Sequence, residues 1–247
     1  MRARTYAPDR GWESCFSAER PVPAAYGKLA RGRKSALSVE AAARPSYLSW
    51  VIEGFKLFPA VLDAGAQADL LAEVLAAEAA APFFRPVTPG GAAMSVSMTS
   101  LGDRGWVSDR TSYRYLGAHP ATGLPWPPIP PRLLALWRDL TGGRAPPDAC
   151  LVNLYRGGAR MGLHQDKDEA DFAHPVLSVS LGDTAVFRLG GLARKDPTRS
   201  FRLASGDVCI LGGPARLAYH GIDRVISGSS QLIPGGGRIN LTLRRAA

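Results

Sequence analysis

The 247 residues suffice for one sizeable core, and 46% hydrophobic with 21% charged residues is the balance of an ordinary soluble globular protein. No apolar run reaches the length of a membrane span, the opening MRARTYAPDRGWESCF lacks the apolar stretch of a secretory signal, and Cys15, Cys150 and Cys209 show no CxxC spacing, which argues against a disulfide framework or zinc ribbon and for a reducing, cytoplasmic setting. The formal net charge of +9 favours anionic partners such as nucleic acid, although simple solubility explains a basic balance equally well.

Residues 1–48 are basic, proline-bearing and poor in apolar periodicity. They suit a disordered arm that contacts nucleic acid, or an extension with no role. At 47–58 (YLSWVIEGFKLF) apolar and polar residues alternate, predicting a strand and the start of the folded part. Over 61–80, Leu62, Ala66, Leu70, Val74 and Leu75 recur at helical steps until Pro82 stops the run. Residues 86–115 read as short strands with turns at Pro89-Gly90-Gly91 and Gly102-Asp103. Pro131 suits the first turn of a helix through Leu140 that Gly142-Gly143 ends. After Asp148 come the short strand-like segments CLVNLY, VLSVSL, TAVFRL, SFRLAS, DVCILG and RINLTLRR, the pattern of a sandwich, jelly roll or barrel. The chain thus divides into 1–48, 49–145 and 146–247. It gives no sign of oligomeric state, and a monomer is expected.

The chemistry concentrates in the last segment. His164-Gln165-Asp166 sets a histidine and a carboxylate two positions apart, on one face if the segment is extended. His220 follows several strand-like segments later. Two imidazoles and one carboxylate form the facial triad of non-haem iron(II) oxygenases, which leaves coordination positions free for substrate and oxygen. Zinc hydrolysis at a His-Asp-His site is the competing metal reading. His119 and His174 lack the HxD context and read as surface or packing residues.

In the C-terminal run, Arg238, Asn240, Thr242 and Arg244 share one strand face and Ile239, Leu241 and Leu243 the other. Such a face is solvent-exposed in many proteins. In a closed β fold it lines the interior instead, where two guanidiniums need anions and a small dicarboxylate supplies two. Asn153 and Tyr155, also on one strand face, complete such a cradle.

Together these segments, with Leu177-Ser-Val-Ser-Leu181, Gly206-Asp207-Val208 and Tyr219-His220-Gly221, resemble the AlkB family of DNA and RNA dealkylases. HQDKDE (164–169) and RINLTLR (238–244) are its specific parts. The likeness runs upstream through MSVSMTSLGDRGW (94–106) and SYRY (112–115) and covers roughly residues 50–245. It implies a mainly β, α+β fold: a double-stranded β-helix (jelly-roll) core with an N-terminal nucleotide-recognition lid. It implies His164, Asp166 and His220 as Fe(II) ligands and 2-oxoglutarate and O2 as co-substrates. Arg238, assisted by Tyr155 and Asn240, would hold the distal carboxylate, and Arg244 with Asn153 the carboxylate beside the keto group. Trp106 would stack on an extruded base with His164 on its other side, Tyr113 would contact the backbone, Asp168 would face the base edge, and Met98, in a lid strand, would line the pocket. The implied reaction oxidises the alkyl group of a damaged base in DNA or RNA and releases an aldehyde, succinate and CO2.

Two other readings compete. The same oxygenase chemistry on a protein side chain or small molecule needs the triad and both arginines but no stacking aromatic. A metal-free nucleic-acid-binding module needs none of the three ligands.

Overall fold

The computed structural model describes residues 53–247; the basic segment 1–48, Cys15 and the first residues of the strand expected at 47–58 lie outside them. In chain order the elements are β1 (Phe55–Phe58), α1 (Ala64–Ala76), β2 (Ser97–Gly102), β3 (Gly105–Ser108), β4 (Tyr113–Leu116), α2 (Pro131–Thr141), β5 (Ala149–Tyr155), β6 (Met161–His164), β7 (Val176–Gly182), β8 (Ala185–Leu189), β9 (Arg199–Leu203), β10 (Val208–Leu211), β11 (His220–Val225) and β12 (Arg238–Arg244). The helices begin and end as their residues dictate. Asp63 caps α1 by accepting the Ala66 N–H at 2.8 Å, Pro131 opens α2, and Gly142 closes it with a φ of 75°.

All named strand pairings are antiparallel. A six-stranded sheet has the order β1-β10-β7-β12-β5-β2, a four-stranded sheet the order β6-β11-β8-β9, and β3 and β4 form a separate hairpin. Period-two alternation sorts the large sheet into two faces. Cys150, Val152, Leu177, Val179, Leu181, Val208, Ile210, Ile239, Leu241 and Leu243 pack against helical residues such as Leu70, Val74, Leu133 and Trp137 in one core. Leu151, Tyr155, Val176, Cys209 and Leu211 point the other way and meet Ala185, Phe187, Leu189, Leu203 and Ile222 of the small sheet in a second core. Helices therefore back one sheet, and the two sheets face each other as a jelly roll. Leu241, at 0% exposure, is a central anchor, and its truncation to alanine costs roughly 2–5 kcal/mol.

The cavity between the sheets is what this layering produces. It is walled by the inward faces of β5, β7, β10 and β12 on one side and of β6, β8 and β11 on the other. Two differences from the sequence reading matter. Segment 49–145 is woven into the main sheet, because β1 and β2 form its two edges. Met98, expected in a lid strand, accordingly sits in β2, opposite Asn153 of β5. The β3–β4 hairpin is the part that stands apart from both sheets. Among the described residues no helix is long and apolar enough to cross a membrane.

Candidate active site

Strand pairing brings the metal-ligand candidates together. The antiparallel register of β6 and β11 sets His164 directly opposite His220, a position where Cβ atoms lie about 4.5–5.5 Å apart. The register slips between His220 and Ile222, and the backbones approach so closely that a Cβ on Gly221 would stand 2.6 Å from the Met161 carbonyl oxygen. Only glycine fits there. Strand β6 ends at His164, so Asp166 is delivered by the following loop and not by strand alternation as expected. The convergence is nonetheless the expected one. One ligand atom from each of His164, Asp166 and His220 lies within 4.8 Å of the other two.

Each imidazole is oriented by the backbone two residues earlier. His164 Nδ1–H donates to the Gly162 carbonyl at 3.0 Å and His220 Nδ1–H to that of Ala218 at 2.9 Å. A carbonyl only accepts, so these bonds place the free lone pair on Nε2, and both Nε2 atoms face Asp166, at 3.6 and 3.7 Å. Burial and the neighbouring His164 push the His220 pKa down to about 4, which keeps it a neutral ligand. Burial pushes the Asp166 carboxyl up, but Arg244, His220 and His164 outweigh it and hold the group below the usual carboxylate range. Arg244 takes Asp166 Oδ1 at 2.8 Å, whereas buried Oδ2 has no hydrogen-bond partner among the described residues. Two imidazoles that turn Nε2 toward an ionised carboxylate with an orphaned oxygen fit a divalent metal, and the donor set fits Fe(II).

The inward face of β12 supplies the next layer. Asn240, Thr242 and Arg244 line a cavity of about 310 Å³ together with Asn153 and Tyr155 of β5, whose register pairs Asn153 with Asn240 and Tyr155 with Arg238. Burial pushes the Tyr155 hydroxyl up to about 12, so it stays a neutral donor. Arg238 alone among the expected site residues stays off the cavity wall. Its fully buried guanidinium donates to Ser180 Oγ at 2.8 Å, the Leu203 carbonyl at 3.1 Å and Asn240 Oδ1 at 3.4 Å, and its Nε has no partner among the described residues. A buried cation satisfied only by neutral groups fits an anion bound beside it.

At the cavity mouth the hairpin contributes Trp106 and Tyr113, whose rings stack at 5.6 Å and 16°. Trp106 Nε1–H donates to Asp168 Oδ2 at 2.8 Å, so the stacking candidate and the acid expected at the base edge are joined. Met98 lines the wall below them. Of the hairpin arginines, Arg104 and Arg110 are exposed, while Arg114 is bound to Asp109 at 2.6 Å. His119 and His174 lie elsewhere. His119 is buried against Phe84 and Trp126, and His174 faces Asp171.

Three residues that carry the site had received no role from sequence. Glu169 is buried and accepts from Tyr115 Oη at 2.6 Å and Arg216 at 2.9 Å, with Arg244 Nε at 3.4 Å. Arg216 also donates to the Asp166 and His174 carbonyls. Glu169 belongs to the HQDKDE run and was findable there. Arg216 and Tyr115 carry no pattern that announces burial.

Comparison with known proteins accords with this geometry. Residues 54–244 match the model of the 2OG-Fe(II) oxygenase superfamily. An alpha-ketoglutarate-dependent dioxygenase AlkB homolog of Caulobacter vibrioides is 64% identical over 196 residues, 79% of this chain and 89% of that protein. The alpha-ketoglutarate-dependent dioxygenase AlkB of Escherichia coli K12 is 47% identical over 169 residues, 67% of this chain and 78% of that one. The solved structure of OsALKBH1 superposes with a TM-score of 0.67 at 31% identity, covering 79% of this chain and 99% of that one. With His164, Asp166 and His220 converging as the superfamily's chemistry requires, the chain belongs to the AlkB family and is an iron(II)- and 2-oxoglutarate-dependent dioxygenase.

Proposed function

We propose that this dioxygenase removes alkyl groups from N-alkylated bases in DNA or RNA, releasing an aldehyde, succinate and CO2. The observation that carries the reading is the Trp106–Asp168 pair at the mouth of the cavity that holds the triad. An alkylated ring nitrogen is inaccessible in a stack, so the nucleotide must be extruded, at a cost of a few kcal/mol. Stacking on Trp106 returns about 1–3 kcal/mol of this. Many N-alkylated bases are cationic, and Asp168 places a carboxylate beside such a base. A protein side chain or small molecule as substrate needs neither group.

When bound, iron and 2-oxoglutarate supply, with O2, the oxidation of the alkyl carbon. His164, Asp166 and His220 hold the metal. Arg244 and Asn153 orient the carboxylate beside the keto group, and Arg238, Tyr155 and Asn240 the distal one. Trp106 and Tyr113 on the β3–β4 hairpin act as the nucleotide-recognition lid, and Met98 lines the wall that excludes water. The free, buried Cys150 and Cys209 support work in a reducing, cytoplasmic compartment.

The test loads the protein anaerobically with Fe(II) and 2-oxoglutarate, then admits air with oligonucleotides carrying defined methyl lesions. Formaldehyde release and restored bases are expected. Succinate formation that no methylated oligonucleotide stimulates would leave the oxygenase and remove its nucleic-acid substrate.

A further inference from the structure

Most of the surplus charge of the described residues sits on one face. In the small sheet, Ala185, Phe187 and Leu189 of β8, Phe201 and Leu203 of β9, and Ile222 and Val225 of β11 turn into the core. Alternation turns the residues between them outward. Pairing sets both Arg202 and Arg224 opposite Val186, and Arg188 opposite Ser200 and Gly221. With strands about 4.8 Å apart and about 3.4 Å per residue, these three arginines stem from a patch roughly 10 Å across. Among the described residues one carboxylate answers them, Asp223 at 3.0 Å from Arg224, while Arg188 is held by the Thr198 hydroxyl at 2.6 and 3.1 Å. The β8–β9 connection adds Arg194 and Lys195, with Asp196, whose carboxylate is engaged by the Ala193 N–H.

Residues 53–247 contain twenty-one Lys and Arg against seventeen Asp and Glu, and five of those cations with two of those anions lie here. Elsewhere the described residues nearly balance, sixteen cations against fifteen anions. A face that needed only to be wet would interleave the signs, because crowding like charges costs stability. Four of the five cations are arginine, whose fork matches phosphate oxygens. The patch also continues into the active site. Arg194 lines the cavity and donates to the Leu163 carbonyl at 2.8 Å, next to His164, and Leu189 of β8 pairs with His220.

We infer that the outer face of β8, β9 and β11 is a phosphate-binding track for the nucleic-acid backbone that flanks the extruded nucleotide. The inference rests on the nucleic-acid reading above and extends it from the base to the strand. It is independent of the cavity chemistry, since none of Arg188, Arg202 and Arg224 lines the cavity.

Substrate length tests it. A trinucleotide with one central methylated base occupies the cavity mouth, whereas an oligonucleotide of roughly 20 nucleotides also crosses the track. The variant R188S/R202S/R224S should keep wild-type kcat/KM on the trinucleotide and lose the preference for the longer substrate. With single-stranded DNA, three lost phosphate contacts reduce the slope of log Kd against log salt by about 2. Between 50 and 200 mM salt the wild type should therefore lose about twentyfold more affinity than the variant. Arg202→Glu, at an exposed strand position, gives the same direction should the triple variant not fold. An unchanged length preference and salt slope in the variants would overturn the track. Wild-type turnover of the trinucleotide without any preference for length would also overturn it, leaving base dealkylation intact. Failure to turn over either methylated substrate would instead remove the nucleic-acid reading, and the track with it.

Discussion

Replacing Arg238 with lysine separates the shape of the guanidinium from its charge. The wild-type group is fully buried and, among the described residues, bonds only to a hydroxyl, carbonyls and an amide and leaves Nε without a partner; burial lowers its pKa. If this cation pairs with the distal carboxylate of 2-oxoglutarate, lysine retains the attraction and loses one of two parallel N–H···O bonds. Such a charge-assisted bond contributes about 1.5–3 kcal/mol, so the Kd should rise about ten- to hundredfold. Thermal melting with Mn(II) in place of iron reads binding without turnover. At 2-oxoglutarate concentrations about 100 times the wild-type Kd, the ligand stabilises the wild type by about 2.7 kcal/mol and the variant by about 0.4–1.4 kcal/mol. For a folded unit of this size the melting shift should shrink from roughly 5–10 °C to roughly 1–5 °C. An undiminished shift would show that Arg238 has no part in holding the co-substrate, and the orphaned Nε would need another explanation.

Substituting His164, Asp166 or His220 by alanine should abolish stoichiometric Mn(II) binding and succinate formation, with Asp166→Ala also freeing Arg244; metal titration checks this. Trp106→Ala should cut repair of methylated oligonucleotides by roughly ten- to hundredfold, following the 1–3 kcal/mol of lost stacking, while uncoupled 2-oxoglutarate turnover survives. Tyr115→Phe removes the hydroxyl that donates to Glu169 at 2.6 Å and should destabilise the fold by about 1–3 kcal/mol in denaturant titration. The chelator-treated protein should lose stability as pH falls. His220 has a pKa of about 4 folded against an ordinary 6.5, so between those values only the unfolded chain takes the proton. The loss begins near pH 6.5, is complete near pH 4, amounts to about 3 kcal/mol, and should largely vanish in His220→Gln.

How much of this was legible in the sequence follows from the range of the forces involved. The β12 run was readable because strand alternation is local: with Ile239, Leu241 and Leu243 committed to the helix-backed core, Arg238, Asn240, Thr242 and Arg244 had to face the other way, toward the cavity side of the sheet. The α1 and α2 boundaries were readable for the same reason, through Asp63, Pro131 and Gly142. The placement of β2 was not. A strand's own residues state which face is apolar but not which neighbour it joins, and β2 joins β5 in the main sheet instead of the hairpin that follows it.

The Glu169 cluster marks the limit more sharply. Residue type alone assigns Glu169 and Arg216 to the surface, since charges are buried only when paired. Their partners come from four separate parts of the chain, 115, 166–169, 216 and 244, so no window of sequence contains the pairing. Yet the cluster joins two functions that the motifs show singly. Arg244 is shared between metal ligand Asp166 and Glu169, and Glu169 is held by Tyr115 from the hairpin that carries Trp106. A second hairpin bond, Trp106 to Asp168, ends on the same loop. Hairpin and metal loop are thus tied at two points three residues or fewer from Asp166. The segment that supplies Asp166 is therefore also the one that holds Trp106 and Tyr115, through contacts that only the folded chain creates.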